Sequence, residues 1–211
     1  MKPKYLARKD SGNHLYIPLK VKQILTNPAI PLYFTEGEKK TLKAVQEGID
    51  CIGLSGLWNW GRKTENGYEL LPDFSQIALD GRTIYIVPDS DWLEPNREGK
   101  PKNLKQAVFE LAYCLIDKGA KVDWVELPQT GKEKVGLDDY LCSHTVEDFK
   151  KLRVYKIRKL TINEMIADAT SEIEPSDLKA IIKDIAKLGS EVEKALYVNK
   201  LHTKTGIPAK A

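Results

Sequence analysis

The sequence predicts an α/β protein, a mainly parallel sheet flanked by helices. Three observations carry that expectation. Four short apolar runs of strand length recur along the chain: residues 30–34 (IPLYF), 50–56 (DCIGLSG), 82–87 (RTIYIV) and 121–127 (KVDWVEL). The first is continuously apolar rather than alternating, as in strands buried on both faces. Stretches of helical spacing separate the first run from the second and the third from the fourth. Strands that alternate with helices imply right-handed parallel crossovers.

In chain order, residues 4–18 (KYLARKDSGNHLYIP) read as two short strands around the turn signal Asp10-Ser11-Gly12-Asn13. They form an N-terminal β-hairpin within a lead-in over residues 1–29. After the first buried strand, residues 38–47 place Leu42 and Val45 beside lysines at helical spacing, and Gly48 is a natural stop. The second strand leads into a loop rich in glycine and asparagine, LWNWGRKTENGYELLPDF, which carries two tryptophans. The third strand ends at Pro88-Asp89-Ser90-Asp91. Residues 104–118 (LKQAVFELAYCLIDK) make the clearest amphipathic helix, stopped by Gly119, before the fourth strand. One α/β domain is expected over 30–150. From residue 145 the pattern changes: Thr145 and Asp148 suit a helix start, and six basic residues fall within 150–159. A basic linker and a small region of two or three helices are expected over 151–211, with a capping box at Ser190 and Glu193. The chain closes on GIPAKA without an evident final element, as a fragment of a longer protein would.

Composition excludes more than it assigns. At 211 residues the chain can hold one substantial core with a small appendage. No apolar run nears the roughly 20 residues of a membrane-spanning helix, and MKPKYLARKDSG lacks the apolar centre of a signal peptide. Cys51, Cys114 and Cys142 are odd in number and far apart, which argues against a disulfide framework or zinc site and for a reducing cytoplasm. A net charge of +3 neither requires nor forbids a nucleic-acid partner.

The acidic residues say more. Ligands of open parallel sheets gather outside the carboxyl ends of the strands. Glu36 falls at that end of the first strand, and Asp89 and Asp91 fall at that end of the third. Extended residues two apart point the same way, so Asp89 and Asp91 can share one ion, and Gly37 allows a sharp turn into the helix beside Glu36. Oxygen ligands of this kind suit Mg²⁺ with waters and a substrate phosphate. Each acid also has an ordinary structural role: Asp-Ser-Asp after proline is turn chemistry, and a glutamate near a helix start favours the helix dipole. Their combination at two strand ends of one sheet favours the metal site.

This order of features resembles the Toprim domain: Glu36-Gly37 at a strand end, a helix, a second strand, then Asp89-Ser90-Asp91 and a further helix. The runs TEGEKK, GIDCIGLSGLWNW, PDSD and GLDDYL resemble more closely a Toprim-like subfamily of phage, plasmid and mobile-element replication proteins, often found beside a helicase. LPQTGKEKVGLDDYL is similar to a primase segment. The likeness covers residues 30–142 and implies a Toprim/Rossmann-like fold with Mg²⁺-dependent phosphodiester chemistry, Mn²⁺ serving as substitute. It implies that Asp89, Asp91, Glu36 and Asp138 hold the metal, with Glu36 either a ligand or a general base. The implied partners are single-stranded template DNA, nucleoside triphosphates and a helicase domain or subunit. The implied activity is primer synthesis, a nucleotidyl transfer, ahead of a nuclease. Two positions depart from the family pattern. Lys40 stands where many primase-type Toprim domains have an aspartate, and Gly136 stands where the last motif usually has another. A reduced acid set implies weaker metal binding. It also leaves open a second reading, a non-catalytic module that binds DNA or nucleotide and positions a polymerase or helicase. A third, in which the Asp pair serves a nucleotide-sugar transferase or phosphatase, leaves Glu36 and GLDDYL without a role.

Several further residues are candidates for phosphate or base contact. Lys39 and Lys40 can touch phosphate or lie on a solvated helix face. Ser55 sits at a strand end where backbone N–H groups meet phosphate; Trp58 and Trp60 can stack on a base or anchor their loop. Arg62 and Lys63 follow. Arg153, Lys156 and Arg158, within the basic run, can track a nucleic-acid backbone with steep salt dependence or form a solvated face.

Overall fold

Residues 12–65, 67–91, 104–129 and 133–208 are described by a computed structural model. Two units divide between Arg158 and Lys159. In the first, six strands form one sheet: β1 (Leu15–Tyr16), β2 (Leu32–Glu36), β3 (Cys51–Leu54), β6 (Thr83–Val87), β7 (Lys121–Val125) and β8 (Val154–Ile157). Their order across the sheet is β1-β3-β2-β6-β7-β8. The central strands β3, β2, β6 and β7 are parallel, and β1 and β8 close the edges antiparallel. The fold class expected from the sequence is therefore the one observed.

Strand periodicity explains why the runs read as continuously apolar. Successive residues face opposite sides. Phe34, Ile52, Ile84 and Ile86 enter one core, beneath Val108, Leu111 and Leu115 of α3 (Leu104–Ile116). Cys51 and Val87 enter the other, with Ala44 of α2 (Glu38–Gln46), Leu137 and Tyr140 of α4 (Leu137–Ser143), and Phe149 of α5 (Val146–Lys150). Phe34, Ile84 and Ile86 are fully buried; each such side chain contributes roughly 1.5–3 kcal/mol. Helices on both faces, and a strand order that reverses between β2 and β6, create a switch point at the carboxyl ends of those two strands.

Three expectations change. The strand expected after the Asp10–Asn13 turn is β1, but Leu15 pairs with Leu54 of β3, so it is an edge strand of the main sheet. The first half of the expected N-terminal hairpin lies outside the described residues. The loop after β3 contains a hairpin, β4 (Gly61–Thr64) with β5 (Gly67–Leu70), followed by a 3-10 turn, Pro72–Gln76. The basic segment is no linker. Val154–Ile157 is β8, with Tyr155 opposite Trp124 and stacked on it at 4.4 Å. Its period-two pattern is hidden because its outward positions are Val154 and Lys156 rather than neutral polar residues.

Arg82, just before β6, is fully buried, and among the described residues its partners are carbonyls rather than a carboxylate. Its guanidinium donates to the carbonyls of Ala78 at 2.6 Å, Ile30 at 2.9 Å, Leu25 at 2.7 Å and Ile24 at 3.2 Å. It pins the loop after α1 (Leu19–Lys22) to the end of the sheet opposite the switch point.

The second unit is a set of three helices, α6 (Ile162–Asp168), α7 (Pro175–Ala186) and α8 (Glu191–Thr205), around Ile166, Ile181, Ile185 and Leu201. Thr161 and Glu164 form a capping box, and Pro175 opens α7. Ser190 accepts from the Glu193 N–H at 3.3 Å, which is half of the box expected there. No helix among the described residues is long and apolar enough to cross a membrane.

Candidate functional site

Local chain chemistry sets the rim. Gly37 takes φ 95°, which L side chains rarely adopt, and its N–H donates to Leu54 O at 2.7 Å. This turn leaves Glu36 at the last ladder position of β2, opposite Leu54. The Thr41 hydroxyl donates to Gly37 O at 2.8 Å, and a Cβ on Gly53 would stand 2.6 Å from that hydroxyl oxygen. Glycine in β3 thus lets α2 pack directly on the strand. The Thr35 hydroxyl donates to Val87 O at 3.0 Å and ties β2 to the end of β6. Beyond it, Ser90 and Val135 exchange two bonds: Ser90 N–H to Val135 O at 3.0 Å, and Val135 N–H to Ser90 Oγ at 2.8 Å. That clasp brings the start of α4 against Asp89.

Asp89 is only 5% exposed and meets two ammonium groups. Lys40 Nζ, from the first turn of α2, lies 2.5 Å from Oδ1 in an ion pair that is not aligned as a hydrogen bond. Lys134 Nζ donates to Oδ2 at 2.8 Å. The Asp89 hydrogen bond holds the Lys134 ammonium above the ordinary lysine range, against the opposing effect of burial. The charges of Asp89, Asp91 and Glu36 act in the same direction as that bond. Three expected acids therefore share the field of one cation.

Mg²⁺ requires near-octahedral oxygens at about 2.0–2.1 Å. Here both oxygens of Asp89 face ammonium groups, and among the described residues no group of three or more His, Cys, Asp or Glu side chains is placed to hold a metal ion. Asp138 Oδ1 turns back toward Gly136, and Asp139 accepts from the Gly136 N–H at 3.0 Å, capping α4. The arrangement does not fit a divalent metal. The expected set of Glu36, Asp89, Asp91 and Asp138 is gathered at one rim but not as a ligand shell.

Other expected residues separate. Lys39 is exposed on α2, and Ser55 is exposed directly after β3, on the rim beside Gly37. Trp60 is fully buried in the α3-side core and offers no face to a base, while Trp58 packs against Tyr68, with centroids 5.5 Å apart. The stacking role is thus corrected for Trp60: it anchors the hairpin. Arg62 donates from Nε and Nη2 to the single oxygen Oε2 of Glu69 across that hairpin, at 3.0 and 2.8 Å, and Lys63 is exposed beside it. The basic run splits along β8. Arg153 stands at the switch-point rim, its carbonyl accepting from Glu126 N–H, and lies 4.7 Å over the Tyr155 ring. Lys156 faces Asp123 further along, and Arg158 follows Ile157, which pairs with Val122 toward the opposite end. One backbone cannot be tracked by all three along this rim. Lys134 was missed, although it lies in the KEKVGLDDYL segment that marks the clasp.

The chain belongs to a family described as a domain of unknown function, DUF3854, whose model matches residues 21–148. A relative is an uncharacterized protein of Picosynechococcus sp. (strain ATCC 27264 / PCC 7002 / PR-6), 29% identical over 165 residues. That match takes in 72% of this chain and 15% of the relative, so the chain spans a small part of the relative's length. Among solved structures, the chain is similar to the zinc-binding and RNA polymerase domains of Aquifex aeolicus primase, with TM-score 0.39 and 15% identity over 90% of this chain and 40% of that one. It is also similar to a DNA primase domain from Pseudomonas aeruginosa, with TM-score 0.46 and 14% identity over 100% of this chain and 62% of that one.

Proposed function

We propose that the first unit is a Toprim-like, primase-related module of a replication protein, and that it binds the phosphates of single-stranded DNA or a nucleoside triphosphate without itself synthesising primer. The motif order around Glu36, Asp89 and Asp138 supports the Toprim-like reading. The observation that carries the binding role is the grip of Lys40 and Lys134 on buried Asp89. Lys134 spends one of its three ammonium donors on Asp89 and keeps two for a phosphate. Asp89 is then a positioning residue, and Lys39, Ser55, Lys134 and Arg153 are the contacts. Placement beside a helicase, in a phage, plasmid or other mobile element, completes this reading.

The second reading is Mg²⁺-dependent primer synthesis by Glu36, Asp89 and Asp91. It is favoured by the exposure of Lys134, whose side chain is 60% accessible while three acids act on it. A displaceable cation marks where another could stand. Fluorescence anisotropy with labelled single-stranded DNA, alongside primer-synthesis and nuclease assays in Mg²⁺ and Mn²⁺, separates the two. Binding that weakens with salt and in Lys134→Ala, with no synthesis, supports the first. Synthesis lost in Asp89→Asn with Asp91→Asn establishes the second, and absence of DNA and nucleotide binding removes both.

A further inference from the structure

Gly136 has no conformational reason to be glycine. Its φ of −89° and ψ of 168° are extended backbone open to any residue. Space is the reason: a Cβ there would stand 2.7 Å from Lys40 Cε and 2.8 Å from Asp138 Oδ1. The lysine stem crosses the open face of Gly136 and delivers its ammonium to Asp89. Three separate segments thus build one device: a buried carboxylate after β6, an ammonium from α2, and a missing side chain before α4 that lets the ammonium through.

We propose that Lys40 is a tethered cation that takes the place of a divalent ion at this rim, neutralising Asp89 and excluding metal from it. An ammonium 2.5 Å from Oδ1 occupies the position an ion would need, and a second cation brought there meets direct repulsion. Lys134 covers the other oxygen but is mostly exposed and can swing aside, whereas Lys40 is 15% exposed and held over Gly136. Phosphate capture at this rim therefore proceeds without divalent metal. That last clause rests on the proposed function; the exclusion of metal does not.

The test is Mn²⁺ binding, read by electron paramagnetic resonance and calorimetry on the full chain. Wild type is expected to retain no Mn²⁺ at this site, and Lys40→Gln to gain one ion with at least about tenfold higher affinity, equivalent to about 1.4 kcal/mol. Adding Asp89→Asn to Lys40→Gln is expected to abolish the gain. Gly136→Ala, which dislodges Lys40 without removing a charge, is expected to give a partial gain and decides the matter if Lys40→Gln does not fold by circular dichroism. One Mn²⁺ bound by wild type and lost in Asp89→Asn overturns the proposal. So does a folded Lys40→Gln, or failing that a folded Gly136→Ala, that binds no metal. DNA anisotropy in chelator is the separate arm. Binding that requires Mn²⁺ overturns the inference, whereas no DNA binding in any form sinks the proposed function and leaves the tethered cation standing on the metal data.

Discussion

The Lys40–Asp89 pair makes a quantitative claim on stability. The charges stand 2.5 Å apart on side chains that are 15% and 6% exposed. At an effective dielectric of about 20 their gross attraction is about 6–7 kcal/mol. Desolvation removes several kcal/mol of that for each ion. Lys134 remains on Oδ2 when Lys40 is lost, so the bare charge is only partly uncovered. Lys40→Met is therefore expected to destabilise the first unit by about 3 kcal/mol, the low end for breaking a buried pair. Asp89→Asn should cost a similar amount, because the amide oxygen accepts from one ammonium only and turns its NH2 toward the other. The double mutant should recover a coupling of about 2–3 kcal/mol relative to the sum of the singles. Urea unfolding followed by tryptophan fluorescence is suited to the measurement. All four tryptophans precede Arg158, so the signal reports the sheet unit alone. Equal slopes across the cycle are required for the comparison. A coupling below about 0.5 kcal/mol would show that the pair is solvated and that Asp89 is not held by Lys40.

Two other perturbations test the scaffold. Arg82→Met leaves the carbonyls of Ile24, Leu25, Ile30 and Ala78 without that donor, and a loss of about 3–5 kcal/mol is expected in the same urea assay. Arg82→Lys should recover little, since an ammonium cannot reproduce the planar fork. Burial, with Tyr85 and Cys51 nearby, pushes the Tyr33 phenol from 10.0 up to about 12. The folded state keeps that proton after the unfolded state has released it, so this contribution is intact below pH 10 and is lost as pH rises from 10 toward 12. The urea midpoint of wild type should fall faster over that window than that of Tyr33→Phe, by up to about 2 kcal/mol in stability. Parallel curves would mean that Tyr33 ionises as freely as in the unfolded chain.

The sheet core was legible because its signal is local. A strand buried on both faces must be apolar at every position, and IPLYF and RTIYIV satisfy that without reference to the rest of the chain. The acids at strand ends were legible for the same reason, since the end of an apolar run marks the end of a buried strand. Edge elements obey weaker rules. In β8 the exposed face carries Lys156 and Val154 and the other Tyr155 and Ile157, so neither composition nor charge announces a strand. The β4–β5 hairpin did carry a signal, the Asn-Gly dipeptide at residues 66 and 67, but its flanks GRKT and GYEL lack a clear apolar alternation. Arg82 was illegible in principle. Its partners are carbonyls, which every residue has, and no side-chain pattern records them.

Lys40 and Gly136 show where sequence reading stops for the site itself. Each is visible alone as a departure from the acidic pattern that the resemblance implies, and each alone reads only as a position without the expected carboxylate. The structure makes them one change. Restoring a side chain at 136 strikes the lysine stem, as the 2.7 Å approach of a Cβ to Lys40 Cε shows. Removing the lysine leaves a carboxylate that is 5% exposed with only the mostly exposed Lys134 to cover it. A side chain at 136 therefore requires the end of Lys40 to shift, and loss of the lysine uncovers one oxygen of Asp89. That contact is the physical ground for reading Lys40, Asp89 and Gly136 as one arrangement of charge and space.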